Sequence, residues 1–201
     1  PAKGEKVFYS VKKEATQVVG IADWKIAGEK ADWSDKKQTV PFGETATLAV
    51  KVKLTEGDPV VASANGAVLD GYITFQELNP EVAALNGSNI VYFKQGVAKI
   101  LVYYNYTDAN GSLVELPIAQ VNAEATAPKA LQSMALDKTM VTLGTVDGYD
   151  VATITVSAKN NYTEDYSVTG KVTIEGVDDN AKAALKADAY TIVDNKITLY
   201  G

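Results

Sequence analysis

Residues 96–120 read GVAKILVYYNYTDANGSLVELPIAQ and contain two alternating runs around one turn signal. In the runs Val97–Tyr106 and Ser112–Gln120, apolar side chains alternate with other side chains, which is the period of a half-buried β-strand. Asn110-Gly111 between the runs predicts a type I′ turn, because that turn needs positive φ at both central positions. The stretch therefore predicts a long β-hairpin.

The same turn also contains residues that calcium-binding loops use. Asp108 and Asn110 have the spacing of the first two ligand positions of an EF-hand loop. Such a loop needs Gly at position 6 and Glu at position 12, whereas Gly111 and Glu115 fall at positions 4 and 8. The spacing fails, so the hairpin is the favoured interpretation.

Period-two alternation recurs along the chain, and Gly, Asn, Asp and Pro separate the runs. Further strands are predicted at Lys6–Lys12, Thr45–Lys53, Gly71–Gln76, Leu131–Lys138, Val151–Lys159, Val168–Glu175 and Lys196–Tyr200. Short helical segments are predicted at Asn79–Leu85 and at the Ala-rich Asn180–Asp188, the second capped by Asp179 or Asn180. This pattern predicts an all-β fold of tandem immunoglobulin-like β-sandwich modules with one short helical turn each.

An internal repeat sets the predicted domain boundaries. The segment GYITFQELNPEVAALNGSNIVYFKQG from Gly71 matches GKVTIEGVDDNAKAALKADAYTIVDN from Gly170, and TATLAVKVK from Thr45 matches VATITVSAK from Val151. The repeat distance of about 100 residues is the size of one immunoglobulin-like module. The chain is therefore divided into a module at residues 1–122, a linker at residues 123–128 and a shorter module at residues 129–201.

The composition excludes several classes of function. The chain has no Cys and no His, and all 19 of its basic residues are Lys. Thiol and imidazole catalysis, the usual zinc sites and bidentate Arg recognition of phosphate are thereby excluded. The chain is predicted not to be an enzyme, a carboxylate-based glycosidase being the remaining enzymatic alternative.

The net charge of −6 makes nucleic acid and anionic membrane surfaces poor partners. No apolar run reaches the length of about 18 residues that crosses a bilayer, so no membrane insertion is predicted. The chain opens on Pro1 rather than Met, and we expect it to be a segment of a longer protein.

Four aspartates are candidate calcium ligands because they lie on predicted loops that meet at one end of such a sandwich. They are Asp147, Asp150, Asp178 and Asp179. Converging carboxylates repel one another unless a cation joins them. Four separately solvated acids are the favoured alternative, and the sequence leaves both open.

Two further groups of residues are candidate binding sites. Glu124 of the predicted linker is a candidate for a calcium-stiffened junction together with three module acids, Glu44, Glu77 and Glu81. Trp24 and Trp33 lie in a near-duplicate, ADW, and could share one face of a hairpin and stack on sugar rings. Burial in the core is the more common fate of such residues.

The chain resembles a known group of proteins in three segments. LQSMALDKTMVTLGTVDGYDVATITVSAKN from Leu131, GVAKILVYY from Gly96 and TATLAVKVK from Thr45 are similar to immunoglobulin-like modules of bacterial surface-layer (S-layer) proteins of Bacillus and its relatives. Those proteins are typically acidic, Lys-rich and short of Cys and His, and this chain has that profile.

The resemblance implies a structural component of an extracellular lattice on the bacterial cell surface. It implies self-association through the parent chain, with cell-wall polysaccharide as a further candidate partner. Lattices of this group often need calcium, which is the one candidate cofactor, but no family ligand motif matches residues here. The alternative function is a cell-surface adhesin or carbohydrate-binding module.

Overall fold

The computed structural model describes residues 14–27, 32–184 and 189–201. The chain forms two compact units, residues 1–128 and residues 129–201. The described residues are strands and loops with one short helix, which confirms the all-β class. The predicted strand Lys6–Lys12 lies outside the described residues.

The first unit consists of two five-stranded sheets. Its strands are β1 (Val18–Ala27), β2 (Gln38–Pro41), β3 (Thr47–Leu54), β4 (Val60–Ala62), β5 (Ala67–Val68), β6 (Gly71–Glu77), β7 (Ala83–Asn86), β8 (Asn89–Tyr92), β9 (Gly96–Thr107) and β10 (Leu113–Thr126). The first sheet has the order β1-β3-β8-β7, with β4 also paired to β3, and the second has the order β2-β10-β9-β6-β5. The β2–β10 pair is parallel and the others are antiparallel.

The two sheets share one apolar core. Leu48, Val50 and Val52 of β3 are fully buried, as are Ile100 and Val102 of β9. Because successive side chains of a strand point to opposite faces, these residues occupy every second position. The alternation that the sequence analysis identified is therefore the burial pattern of the core.

The hairpin predicted from the opening stretch is confirmed. β9 and β10 form an antiparallel ladder. It begins next to the turn, where Thr107 is paired with Leu113, and ends where Gly96 is paired with Ala125. The register shifts once, between Pro117 and Ala119. A bulge at this position fits the chemistry of proline, which has no N–H to donate to the ladder.

The type of turn in this hairpin was predicted wrongly. Of the Asn110-Gly111 pair only Gly111 has positive φ, at +80°. The Asp108 N–H donates to the Ser112 carbonyl at 2.9 Å, and the Gly111 N–H donates to the Asp108 carbonyl at 3.0 Å. The Asp108 carboxylate also accepts from the backbone N–H groups of Asn110 and Ser112, and this side chain closes a loop longer than a type I′ turn.

The helical segment predicted at Asn79–Leu85 is a single turn followed by a strand. The N–H groups of Val82 and Ala83 both donate to the Asn79 carbonyl, at 2.9 and 3.2 Å. Ala83 then begins β7, opposite Tyr92 of β8. One isolated turn is marginal as a helix, so pairing with β8 decides the conformation.

The predicted linker at residues 123–128 is largely a strand. Ala123 to Thr126 are the last residues of β10, and they pair with Gln38 to Pro41 of β2. Ala123 and Ala125 are buried. The small side chains of Ala123 and Ala125 fit against the core at the end of this strand.

The second unit has a single sheet in its described residues, whereas a two-sheet sandwich was predicted. Its elements are β11 (Leu131–Leu136), β12 (Gly144–Val146), β13 (Tyr149–Asn160), helix α1 (Asp179–Ala184), β14 (Tyr190–Val193) and β15 (Lys196–Tyr200). The antiparallel order is β11-β13-β15-β14, with β12 also beside β13. The helix is far too short to cross a membrane, and no other helix occurs in the described residues.

One local prediction in this unit is wrong, and another lies partly outside the described residues. The segment Val168–Glu175 is not a strand, although Val168 is fully buried and Val172 and Ile174 pack against the same small core. The Val168 N–H donates to the side-chain carbonyl of Asn195 at 2.7 Å, so a side chain takes the place of a neighbouring strand. The predicted helix ran to Asp188, but residues 185–188 lie outside the described part and the helix begins at Asp179.

Gly71 at the start of β6 gives a test of the second sheet. A Cβ at Gly71 would lie 2.1 Å from the Asn105 carbonyl oxygen and 2.7 Å from the Tyr104 ring. We expect Gly71→Ala to lower the free energy of unfolding by about 2 kcal/mol, measured by urea denaturation. Gly144→Ala is the matched control, because a Cβ there meets nothing within 4 Å, and equal stability of the two variants would contradict the packing described.

Candidate functional site

Asp147 and Asp150 belong to the hairpin that joins β12 to β13. Asp147 and Gly148 have φ of +51° and +84°, the left-handed conformation that a two-residue hairpin requires. The Asp150 carboxylate accepts from the Thr145 hydroxyl at 2.8 Å, across the same pair of strands. Both aspartates therefore have local roles in one turn.

Asp178 and Asp179 form the N-terminus of α1. The Asp178 carboxylate accepts from the Ala181 N–H at 2.8 Å, and the Lys182 N–H donates to the Asp178 carbonyl at 2.8 Å. Asp178 is thus the N-cap, where sequence reasoning predicted Asp179 or Asn180. Asp179 lies in the first turn, where the helix dipole favours a negative charge.

No group of three or more acidic residues is positioned to hold a metal ion within residues 14–27, 32–184 and 189–201. Two of the four aspartates bind local hydrogen-bond donors, one shapes a turn and one begins a helix. A calcium loop needs six or more converging oxygens, whereas the Asp150 and Asp178 carboxylates accept from the Thr145 hydroxyl and from the Ala181 N–H.

Asp178 gives a test that separates capping from calcium binding. We expect Asp178→Ala to lower the free energy of unfolding by about 1 kcal/mol, because an N-terminal N–H of α1 loses its acceptor. Asp178→Asn keeps an acceptor oxygen and should match the parent. Both differences should be the same in EDTA and in millimolar calcium, as measured by thermal melts. A loss of calcium-dependent stabilisation in the Asn variant would instead assign Asp178 to a calcium site.

The glutamates proposed for a junction site lie on different segments of the first unit. Glu124 lies in β10 and forms an ion pair with Lys37 at 2.5 Å. The Glu77 carboxylate accepts from the Asn79 N–H, and Glu81 lies in the turn that follows. Glu44 lies in a tight turn and lines a cleft.

That cleft lies where β8 separates from the residues that precede β3. It has a volume of about 330 Å³ and is lined by residues 42–46 and Asn89–Tyr92. The Tyr92 hydroxyl is buried and makes no hydrogen bond within the described structure. Burial, and then the negative charges of Glu124 and Glu77, raise the pKa of Tyr92 well above its usual value. The group therefore stays a neutral donor.

Sequence reasoning missed Tyr92. The short run NIVY alternates, and its Tyr lies next to turn residues, but nothing local indicates that the hydroxyl points away from water. A buried donor without an acceptor costs about 1–3 kcal/mol, so the position is a source of instability or a binding point for water.

Tyr92→Phe tests which of these applies. We expect the free energy of unfolding to rise by about 1 kcal/mol at pH 7, because the variant removes an unsatisfied buried hydroxyl and keeps the ring. The raised pKa adds a pH signature. Above pH 10 only the unfolded state loses the phenolic proton, so the free energy of unfolding of the parent falls as the pH rises further. Below pH 10 both states keep the proton, and this loss does not occur. The variant should lose less stability between pH 10 and 11, and a less stable variant at pH 7 would show that a bound water satisfies the hydroxyl.

Trp24 and Trp33 do not share a face, so the alternative of two rings stacking on one sugar does not hold, and Trp24 has the core position that was favoured for such residues. Trp24 is 2% exposed in the core, and its backbone exchanges two hydrogen bonds with Ser34. Trp33 is partly exposed, with the Lys25 and Lys51 ammonium nitrogens 4.9 and 4.6 Å from its ring centroid. The two cations stabilise Trp33 through its ring. Because Trp24 is in the core, only one of the two rings remains, and a sugar-stacking platform needs more than one.

Sequence comparison shows which known proteins the chain is similar to. No protein-family model matches it. An S-layer protein of Bacillus thuringiensis subsp. finitimus is 32% identical over 142 residues, which are 70% of this chain and 16% of that protein. The S-layer protein sap of Bacillus anthracis is 29% identical over 175 residues, which are 86% of this chain and 20% of that protein. The chain thus spans a fifth or less of the length of these relatives, and it is related in sequence to the S-layer proteins of Bacillus.

Proposed function

We propose that this chain is a structural component of a bacterial S-layer, located on the cell surface and acting through lateral protein–protein contacts. The observation that carries the proposal is the similarity to an S-layer protein along 70% of the chain. A second S-layer protein matches 86% of the chain, so the similarity extends into both compact units.

The described structure is consistent with a structural role. Several of its acidic side chains are occupied in turns, caps and ion pairs, among them Asp108, Asp178 and Glu124. Its cleft of about 330 Å³ is at the lower limit of ligand pockets. The chain has neither a His nor a Cys to act as base or nucleophile, and we propose a non-enzymatic role.

We also propose that the first unit is an immunoglobulin-like sandwich and that residues 129–201 form a smaller module in tandem with it. Two five-stranded, largely antiparallel sheets with one common core support the first assignment. Repetition of such modules in a lattice lets weak contacts combine into a stable layer. Calcium remains a candidate cofactor of the assembled parent, without assigned ligands in this chain.

Immunogold labelling of the bacterium that produces the protein tests the location. An antibody raised against the 201-residue chain should label intact cells on their outer surface. Labelling that needs cell lysis would overturn the proposal.

Deletion of these residues from the parent protein tests the structural role. Electron microscopy of the cell envelopes should show a lattice that is lost or has changed spacing, because contacts made by this segment are missing. An immunoblot against another part of the parent controls for equal export. An unchanged lattice would contradict a role in lateral contacts.

A further inference from the structure

The second sheet of the first unit has an outer face with little charge. Alternate residues of β6, β9 and β10 point away from the core, and the register aligns them in rows across the three strands. We call this surface the neutral face. Its two central rows are Thr74–Tyr103–Pro117 and Gln76–Leu101–Gln120.

The neutral face differs from the outer face of the first sheet. There, β1 and β3 present Asp23, Lys25, Lys51 and Lys53. The two central rows of the neutral face contain amides, a hydroxyl, an aromatic ring and apolar side chains, and no charge. Depletion of charged residues together with enrichment of Tyr is the compositional signal of the centre of a protein–protein interface.

Hydrogen bonds hold the side chains of the neutral face in place. The Tyr103 hydroxyl donates to the Gln76 side-chain carbonyl at 2.9 Å. The Asn105 amide donates to the Thr74 hydroxyl at 2.8 Å, and Asn105 is only 2% exposed although it lies on the outer side of its strand. Side chains that are already ordered lose less entropy when a partner binds, so this surface is prepared for contact.

Single charges stand at opposite ends of the neutral face. Lys99 lies on β9 beyond the central rows, and Glu115 lies on β10 beyond the other end, opposite Asn105. Both side chains are exposed, and neither has an ion-pair partner among the described residues. Six residues of extended strand separate their rows, a distance of about 20 Å. A second copy turned end for end brings each charge next to its opposite.

We infer that the neutral face binds the same face of a second copy, with the strands of the two copies antiparallel and two Lys99–Glu115 ion pairs at its ends. The inference rests on the proposed lattice function and names one of its contacts. In a two-fold contact each interaction occurs twice, so one Lys and one Glu per chain suffice.

The size of the neutral face sets the strength of this contact. Three strands spaced about 4.8 Å apart over about 20 Å cover far less than the roughly 800 Å² per partner of a stable dimer. The pair is therefore weak in solution and becomes effective when many copies are held in a layer.

Charge exchange tests the contact. Sedimentation equilibrium of the 201-residue chain, at low salt and up to about 1 mM, should show weak dimerisation. Lys99→Glu and Glu115→Lys each place like charges together, and each should raise the dimer Kd about tenfold, the effect of 1.4 kcal/mol. The double variant restores opposite charges and should return Kd to within about twofold of the parent.

Lys53→Glu is the matched control, because it makes the same charge change on the outer face of the first sheet. Its Kd should equal that of the parent, and thermal melts should show that all variants are folded. A strictly monomeric parent, unchanged single variants or a double variant without recovery would each overturn the inference. A monomer whose Tyr103→Ala variant loses binding of purified cell-wall polysaccharide would assign the neutral face to a glycan.

The charge-exchange test of this contact can fail without refuting the proposed function, and the reverse also holds. An outer-surface label and a deletion-sensitive lattice, together with a failed charge exchange, would refute only this contact. A chain absent from the cell surface would refute the proposed function, whatever the sedimentation result.

Discussion

The antiparallel pairing of β9 with β10 is the constraint on which the first unit depends. The ladder extends from Gly96 to Thr107 on one strand and engages nearly all of β10 on the other. β9 pairs on its far side with β6, and the end of β10 pairs with β2. One hairpin thus places segments that are distant in sequence, and a short connecting loop keeps the entropic cost of closing it low.

Short polar side chains close several of the turns that the structure describes. Asp108 and Asp178 accept from backbone N–H groups at a hairpin and at a helix N-terminus. Asn160 and Asn195 do the same inside the second unit, where Asn195 also donates to the Tyr166 carbonyl. A buried N–H needs an acceptor, and a chain with irregular loops over its core supplies that acceptor from Asn and Asp.

Sequence patterns predicted those elements whose conformation is decided within a few residues. β3, β6, β13 and β15 lie close to their predicted positions, because alternation and flanking turn residues are local properties. Two of the errors occur where a distant partner decides. Ala83 becomes part of a strand because β8 is beside it, and Val168 lies in a loop because Asn195 binds its N–H. Trp24 and Trp33 each end a copy of the tripeptide ADW, yet Trp24 is in the core and Trp33 lies beside two lysines.

The amino-acid sequence by itself determined the all-β class, the position of the long hairpin, the absence of thiol and imidazole chemistry and the resemblance to S-layer proteins. The first three follow from composition or from the period of the side chains along one strand, whereas the resemblance rests on the segments that begin at Thr45, Gly96 and Leu131. The tertiary structure decided that the Tyr92 hydroxyl is buried and that the rows of the neutral face lie side by side. Those features depend on the register between strands, and register arises from packing between residues far apart in the chain.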